Sequence, residues 1–225
     1  KFSFSTLIKG VLSKEIEGRA RLRHTKYSEA LTAQAIVIRS KVLYQLLTKN
    51  GDYYRIDNYE GIAGIESNVK NAVEETTAMI LSHKGNLINA FYHKNSGGHT
   101  ADSAYFFKKE LPYIKAVEDK YAIEDPLFLP RWSYYWSEDK LLRHFSLFFD
   151  EKINGIRDIE IANISPSKRI LSLRISTDYG TYQLKGEEIT EFFQLESLKF
   201  DIEKEYSSGY LSSISFEGIG MGSGL

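Results

Sequence analysis

The apolar residues of this chain change their period along its length. Ile8, Val11 and Leu12 recur at helical spacing. Late in the chain Ile159 and Ile161, then Leu171, Leu173 and Ile175, alternate as strand residues do. Helices early and strands late predict an α+β fold rather than a doubly wound parallel sheet. Helices are expected over Thr6 to Ile16, Tyr27 to Thr48 and from a Ser67 cap to about Thr77. Met79 to Leu81 and Leu87 to Tyr92 read as two strands around His83-Lys84-Gly85-Asn86. The stretch from Tyr105 to Trp136 reads as aromatic loop. Ser137, followed by Glu138 and Asp139, marks a helix start. Strands from Ile156 onward, a turn at Asp178-Tyr179-Gly180, a helix from Glu187 to Phe193 and a last hairpin around Ser207-Ser208-Gly209 complete the pattern.

Composition narrows the functions. Of 225 residues 42% are apolar, enough for a substantial core. Twenty-nine basic residues balance thirty acidic ones, which removes the footprint of a nucleic-acid binder but leaves a neutral polymer such as a glycan. The absence of cysteine excludes zinc ribbons, thiol nucleophiles and disulfides. No apolar run approaches the roughly 20 residues that span a bilayer. KFSFSTLIKG lacks the features of a secretion signal. The expectation is a cytoplasmic chain, or one whose export segment or anchor lies outside this sequence.

Glu15 is the most informative residue. It lies seven positions after Ile8, in the middle of the apolar stripe of the first helix. A carboxylate there loses solvation, which favours the protonated form that a glycosidase acid needs. The same placement suits a structural glutamate paired with Arg19, Arg21 or Arg23. In the second helix, apolar nearly all round from Ala30 to Ile38, Gln34 and Arg39 are the polar exceptions. Either lines a cleft or satisfies buried backbone.

HKNSGGHT, His93 to Thr100, breaks an apolar strand with Gly97 and Gly98. Such a loop brings backbone N–H groups, Ser96, His99 and Thr100 to one point, or is an ordinary glycine turn. A serine hydrolase needs a base positioned by a third group, which Ser96 and His99, so close in sequence, do not by themselves supply, and His93 and His99 have no clear third metal ligand beside them. GIGMGSG, Gly218 to Gly224, lacks the lysine of a phosphate loop. Glycine at every second position instead lets backbone pass close to a neighbouring segment or ligand.

In order, these pieces resemble the stage II sporulation protein D family. The family's GVVxxEM, which carries its essential glutamate, reads GVLSKEI here and places that glutamate at Glu15. EALKAQAxAxRT reads EALTAQAIVIRS, Glu29 to Ser40, and AVxxTxGxxL reads AVEETTAMIL, Ala72 to Leu81. The SGGxT hallmark is SGGHT, Ser96 to Thr100; PYLxxVxD is PYIKAVED, Pro112 to Asp119; GxGxGHGxGM is GIGMGSGL. Three positions depart from the pattern. Met221 stands for a histidine, EGIAG from Glu60 to Gly64 replaces QVYxG, and Thr190 stands for an arginine.

The resemblance implies a single catalytic domain over 1–225, with a second lobe formed by about 101–155. It implies helices near the N-terminus packed on mixed or antiparallel sheets, and two lobes around a glycan-binding cleft. The implied activity is that of a lytic transglycosylase. It cleaves the β-1,4 bond between N-acetylmuramic acid and N-acetylglucosamine in peptide-stripped glycan strands, leaving 1,6-anhydro ends. Glu15 is the implied acid/base. Gln34, Ser96, Gly97, Gly98, His99 and Thr100 are the implied substrate contacts, with no cofactor and no metal. Tyr134, Tyr135 and Trp136 are candidates for stacking on sugars. Implied partners are peptidoglycan strands and a cell-wall amidase, with no nucleic acid, and a membrane only through an anchor outside this sequence. The implied location is extracytoplasmic. The alternative is a non-catalytic peptidoglycan-binding enhancer of an amidase.

Overall fold

A computed structural model describes residues 3–16, 28–48, 59, 61, 63–107, 110–124 and 130–225. The chain is α+β, with helices and antiparallel sheets. It divides into two compact units, Lys1–Tyr92 and His93–Leu225.

The first unit is built on three helices, α1 (Phe4–Ile16), α2 (Ser28–Thr48) and α3 (Ser67–Glu75). Each buries one stripe. Ile8, Val11, Leu12 and Ile16 of α1 meet Leu31, Ala35, Ile38 and Val42 of α2 and Val69, Ala72 and Val73 of α3 in one core. The α2 residues recur at four, seven and eleven positions, the spacing of one helix face. The burial expected nearly all round α2 is therefore confined to a stripe, with Ala33 exposed and Ile36 and Val37 half-buried. Ser67 does not cap α3: it is the first helical residue, and the preceding Glu66 makes no side-chain cap. The predicted hairpin contracts to β1 (Ser82–His83) and β2 (Asn86–Leu87). Lys84 and Gly85 turn between them with φ of 50° and 78°, the left-handed pair that tight hairpins use.

The second unit holds two three-stranded antiparallel sheets. One runs β3 (Arg131–Ser137), β8 (Tyr210–Ile219), β7 (Phe200–Ser207) in spatial order. The other runs β4 (Ile156–Ile164), β5 (Ile170–Thr177), β6 (Thr181–Lys185). A short α4 (Tyr121–Glu124) precedes them; α5 (Glu138–Phe149) and α6 (Glu187–Phe193) close the core. Trp136, Phe145, Phe192, Phe193 and Phe216 fill that core beside Ile159, Leu173, Ile175 and Ile214. The predicted start at Ser137 and the helix from Glu187 to Phe193 are where the sequence reading put them. β3 lies where the prolines and aromatic residues predict loop. Trp132, Tyr134 and Trp136 nevertheless alternate inward with Ser133 and Tyr135, so period two was present between the prolines and the helix. No helix among the described residues is long and apolar enough to cross a membrane.

Candidate functional site

In the first unit Glu15 sits half-buried on α1 between the buried Leu12 and Ile16. The hydroxyl of Tyr92 donates to its Oε1 at 2.8 Å. Burial, then the hydrogen bond and charge of Glu15, push that hydroxyl well above an ordinary tyrosine, so Tyr92 stays a donor at neutral pH. The Nζ of Lys41 lies 4.6 Å from the centre of the Tyr92 ring, a cation–π contact that holds the ring against α2. Gln34 is half-buried seven residues before Lys41, two helical turns away on the same face of α2. A carboxylate, a phenol, an ammonium and an amide thus share one side of the helical unit. Arg19, Arg21 and Arg23 lie outside the described residues.

Arg39 has the structural role. Buried in α2, it donates through Nη2 to Val73 O at 3.0 Å and Thr76 Oγ1 at 3.1 Å, and through Nη1 to Met79 O at 3.1 Å. Val73 O is one of the carbonyls that the end of α3 leaves open, and the other two acceptors lie in the turn that follows the helix. Desolvation lowers its pKa from the ordinary arginine value.

In the second unit Ser96–Thr100 is a loop held by hydrogen bonds on several sides. Gly97 and Gly98 take φ of 67° and 92°, open to glycine at little cost. Ser96 is fully buried. Its hydroxyl donates to Asp119 Oδ2 at 2.7 Å and accepts the Gly98 N–H at 3.1 Å. Asn95 Oδ1 accepts the Gly97 N–H at 2.7 Å. Thr100 Oγ1 accepts the Val117 N–H at 2.9 Å, and His99 Nδ1 lies 2.9 Å from the Thr100 carbonyl, which makes that nitrogen the donor. The loop carbonyls are held from below. Arg169 Nη2 donates to Ser96 O at 2.6 Å and His99 O at 3.2 Å, and Lys199 Nζ to Gly97 O at 2.6 Å. Arg169 is wholly buried, and desolvation brings it down to about 10.

The closing glycines lie against this loop and its supports. Met221 exchanges backbone hydrogen bonds with Asn95 at 2.9 and 3.2 Å. A Cβ on Gly220 would lie 3.0 Å from Gly97 N, and one on Gly224 would lie 2.2 Å from Arg169 Nη2. Alternate glycines here admit a neighbouring segment of the same chain.

Both units are similar to known families. Residues 1–83 match the family described as "Stage II sporulation protein". Residues 126–225 match a second family, described as "Domain of unknown function (DUF8618)". Two curated proteins are similar. One is named "Amidase enhancer", from Bacillus subtilis (strain 168), 31% identical over 112 residues that make up 50% of this chain and 15% of that protein. The other is an uncharacterized protein of Brachyspira hyodysenteriae (strain ATCC 49526 / WA1), 30% identical over 118 residues, 49% of this chain and 30% of that one. The chain thus spans less than a third of either relative.

Within the matched residues 1–83 lie Glu15, Gln34, Arg39 and Lys41; Tyr92 and the Ser96–Thr100 loop fall beyond them. Glu60 lies outside the described residues, and Thr190 sits on α6, bonding Glu187 O at 2.8 Å. Trp136 corrects an expectation. It is fully buried against Phe192 and Phe193, so it packs the core and offers no face to a sugar. Tyr134 is tied to Glu196 at 3.1 Å, whereas Tyr135 is exposed. Sequence reasoning missed Tyr92, Asp119 and Arg169 as partners of the site. Asp119 was present inside PYIKAVED, but nothing local paired it with a serine 23 residues earlier.

Proposed function

We propose that the protein is a peptidoglycan lytic transglycosylase with Glu15 as its acid/base. The observation that carries this reading is the Tyr92-bonded carboxylate of Glu15 set into the apolar stripe of α1. The protonated carboxyl donates its proton to the oxygen leaving from the muramic C1 as that bond breaks through an oxocarbenium-like transition state. The carboxylate then takes the proton of the muramic C6 hydroxyl, whose oxygen closes on C1. A 1,6-anhydro end forms, the acid is regenerated and no water is consumed. An ordinary glycosidase needs a second carboxylate; this route does not. Tyr92, fixed by Lys41, positions the acid, and Gln34 on the same helix side is a substrate contact. In the second unit Gly97, Gly98, His99 and Thr100 are the proposed sugar contacts, and Ser96, whose hydroxyl is spent inside the loop, is a positioning residue.

The substrate is peptide-stripped glycan, prepared by a cell-wall amidase, and the place of action is extracytoplasmic. The similarity of residues 1–83 to the stage II sporulation family, with the amidase-enhancer relative, supports a role at the cell wall. A second reading, a glycan-binding protein that enhances an amidase without turnover, is favoured by the name of the Bacillus relative. Incubation with amidase-treated peptidoglycan and mass analysis separates the two. Anhydro-muramic products from the protein, absent with Glu15→Gln, are expected. Binding without products from either protein would leave only the enhancer. Tyr92→Phe is expected to lower kcat roughly tenfold or more with KM little changed, since a hydrogen bond to a charged group is worth about 1.5–3 kcal/mol.

A further inference from the structure

The outer face of the β3-β8-β7 sheet carries its charge in rows. Strand register sets Arg131 opposite Ile219, Ser133 opposite Glu217, and Glu217 opposite Asp201. Lys199 joins the first row, because the Ile219 N–H donates to its carbonyl at 3.0 Å. One row therefore reads Arg131, Ile219, Lys199, and the next Ser133, Glu217, Asp201. Two residues along a strand separate the rows by about 6.8 Å. Both rows line a groove of about 990 Å³ that also takes in Gly97, Gly98, Lys168, Ile123, Ile161 and Ile164.

The charges of this groove are not matched to one another. Among the described residues none of Arg131, Lys168, Lys199, Asp201 and Glu217 takes part in an ion pair, whereas Asp158, Glu160 and Asp178 of the same unit each have one. Asp201 directly opposite Glu217 is an unfavourable cross-strand pair. Burial, then the charges of Arg169 and Lys168, lower the pKa of Lys199. Lys168 holds a left-handed backbone, φ 60°, in the β4–β5 turn, where glycine would sit more easily. Ile161 and Ile164 stand exposed at the rim, by 42% and 56%. A ligand that supplies an anion to one row, hydrogen-bond donors to the next and C–H surface to the rim would complement both charge rows and the exposed isoleucines at once.

We infer that this groove binds the stripped glycan through the free lactyl carboxylate of muramic acid, held by Arg131, Lys168 and Lys199, with sugar hydroxyl and amide N–H groups donating to Glu217 and Asp201. This rests on the glycan substrate proposed above, and it supplies a physical reason for preferring stripped strands. Removing the stem peptide converts a neutral lactyl amide into a carboxylate, and only the carboxylate gains from the cationic row. The acidic row repels a bare anion, so the groove selects a sugar acid over inorganic phosphate.

Trp132 lines the groove and the other tryptophan is buried, so intrinsic fluorescence reports occupancy. The whole chain is titrated with a tetrasaccharide of alternating N-acetylglucosamine and N-acetylmuramic acid. Its partners are the same sugar with lactyl methylamides, chitin tetraose and inorganic phosphate. The free acid is expected to bind about tenfold tighter than the amide, with the advantage shrinking as salt rises. Lys168→Gly with Arg131→Gln should reduce that advantage to about threefold or less without lowering the melting temperature. Equal affinity for acid and amide, an advantage that survives the double variant, or no binding of any sugar would overturn the inference. Product analysis of the same samples separates the two readings. Acid preference without anhydro products keeps the groove and removes the enzyme, and products without acid preference do the reverse.

Discussion

At Gly220, with φ of 84°, an added Cβ would meet Gly97 N at 3.0 Å and Asn95 O at 3.1 Å, both backbone atoms of the Ser96–Thr100 region. Neither can swing aside as the end of a side chain can. Gly220→Ala is therefore expected to cost about 1–3 kcal/mol, read by urea denaturation of the second unit. Lys168 presents the opposite case. It is an exposed residue with a left-handed backbone, so Lys168→Gly should leave stability unchanged or raise it by up to about 1 kcal/mol. One substitution removes a glycine that geometry demands; the other supplies one where the backbone favours it.

Among the elements, α1 shows how packing overrides propensity. Glycine in a helix interior is worth about 1 kcal/mol less than alanine, so Gly10→Ala would strengthen an isolated helix. Here a Cβ would lie 2.3 Å from the Tyr59 ring and 2.7 Å from Gly61 O, and the same change is expected to cost about 1–3 kcal/mol in thermal or urea unfolding. The helices were legible because their stripes repeat within one or two turns, and Glu15 was legible as the polar member of such a stripe. Tyr92 was not, since it reaches Glu15 from 77 residues away on a segment with no regular structure. Arg169 supports the SGGHT loop from 73 residues beyond it, and only the fold brings the two together. The charge rows were hidden for a different reason. Arg131, Lys199, Asp201 and Glu217 become neighbours only when the strand register is known, and a slip of one residue would turn each to the other face. The stretch holding β3 was misread because its prolines and aromatic residues suggested loop, while its alternation was short.

Across the whole molecule, hydrogen bonds from tyrosine to carboxylate recur. Among the described residues Tyr92 pairs with Glu15, Tyr134 with Glu196, Tyr182 with Glu151, Tyr206 with Asp158 and Tyr210 with Asp178. All five hydroxyls are raised above the ordinary tyrosine value of 10.0, chiefly by burial at Tyr92, Tyr134 and Tyr206 and by the hydrogen bond at Tyr182 and Tyr210. A raised folded value means stability that is complete below pH 10 and lost as pH climbs above it. Asp158 and Asp178 run the other way. Burial opposes the shift at Asp158, but its hydrogen bonds from Lys204, Tyr206 and the Ile159 N–H win; at Asp178 the bonds from Tyr210 and Arg157 lead. Their contribution is present above 3.8 and lost as pH falls below it. Urea midpoints measured across pH should form a plateau that falls away at both ends, and Tyr206→Phe with Tyr210→Phe should soften the alkaline edge. The clamp between the SGGHT loop and the closing glycines also orders events in time. Asn95 binds Met221 and Ala101 binds Gly224, so during synthesis the loop lacks these contacts until residues some 125 positions later have left the ribosome. The helices of the first unit can assemble while the chain is still growing, whereas the second unit must wait for its last strand and the glycines that follow it, and a ribosome-stalled chain ending before Met221 should hold the first unit folded with the loop still unformed.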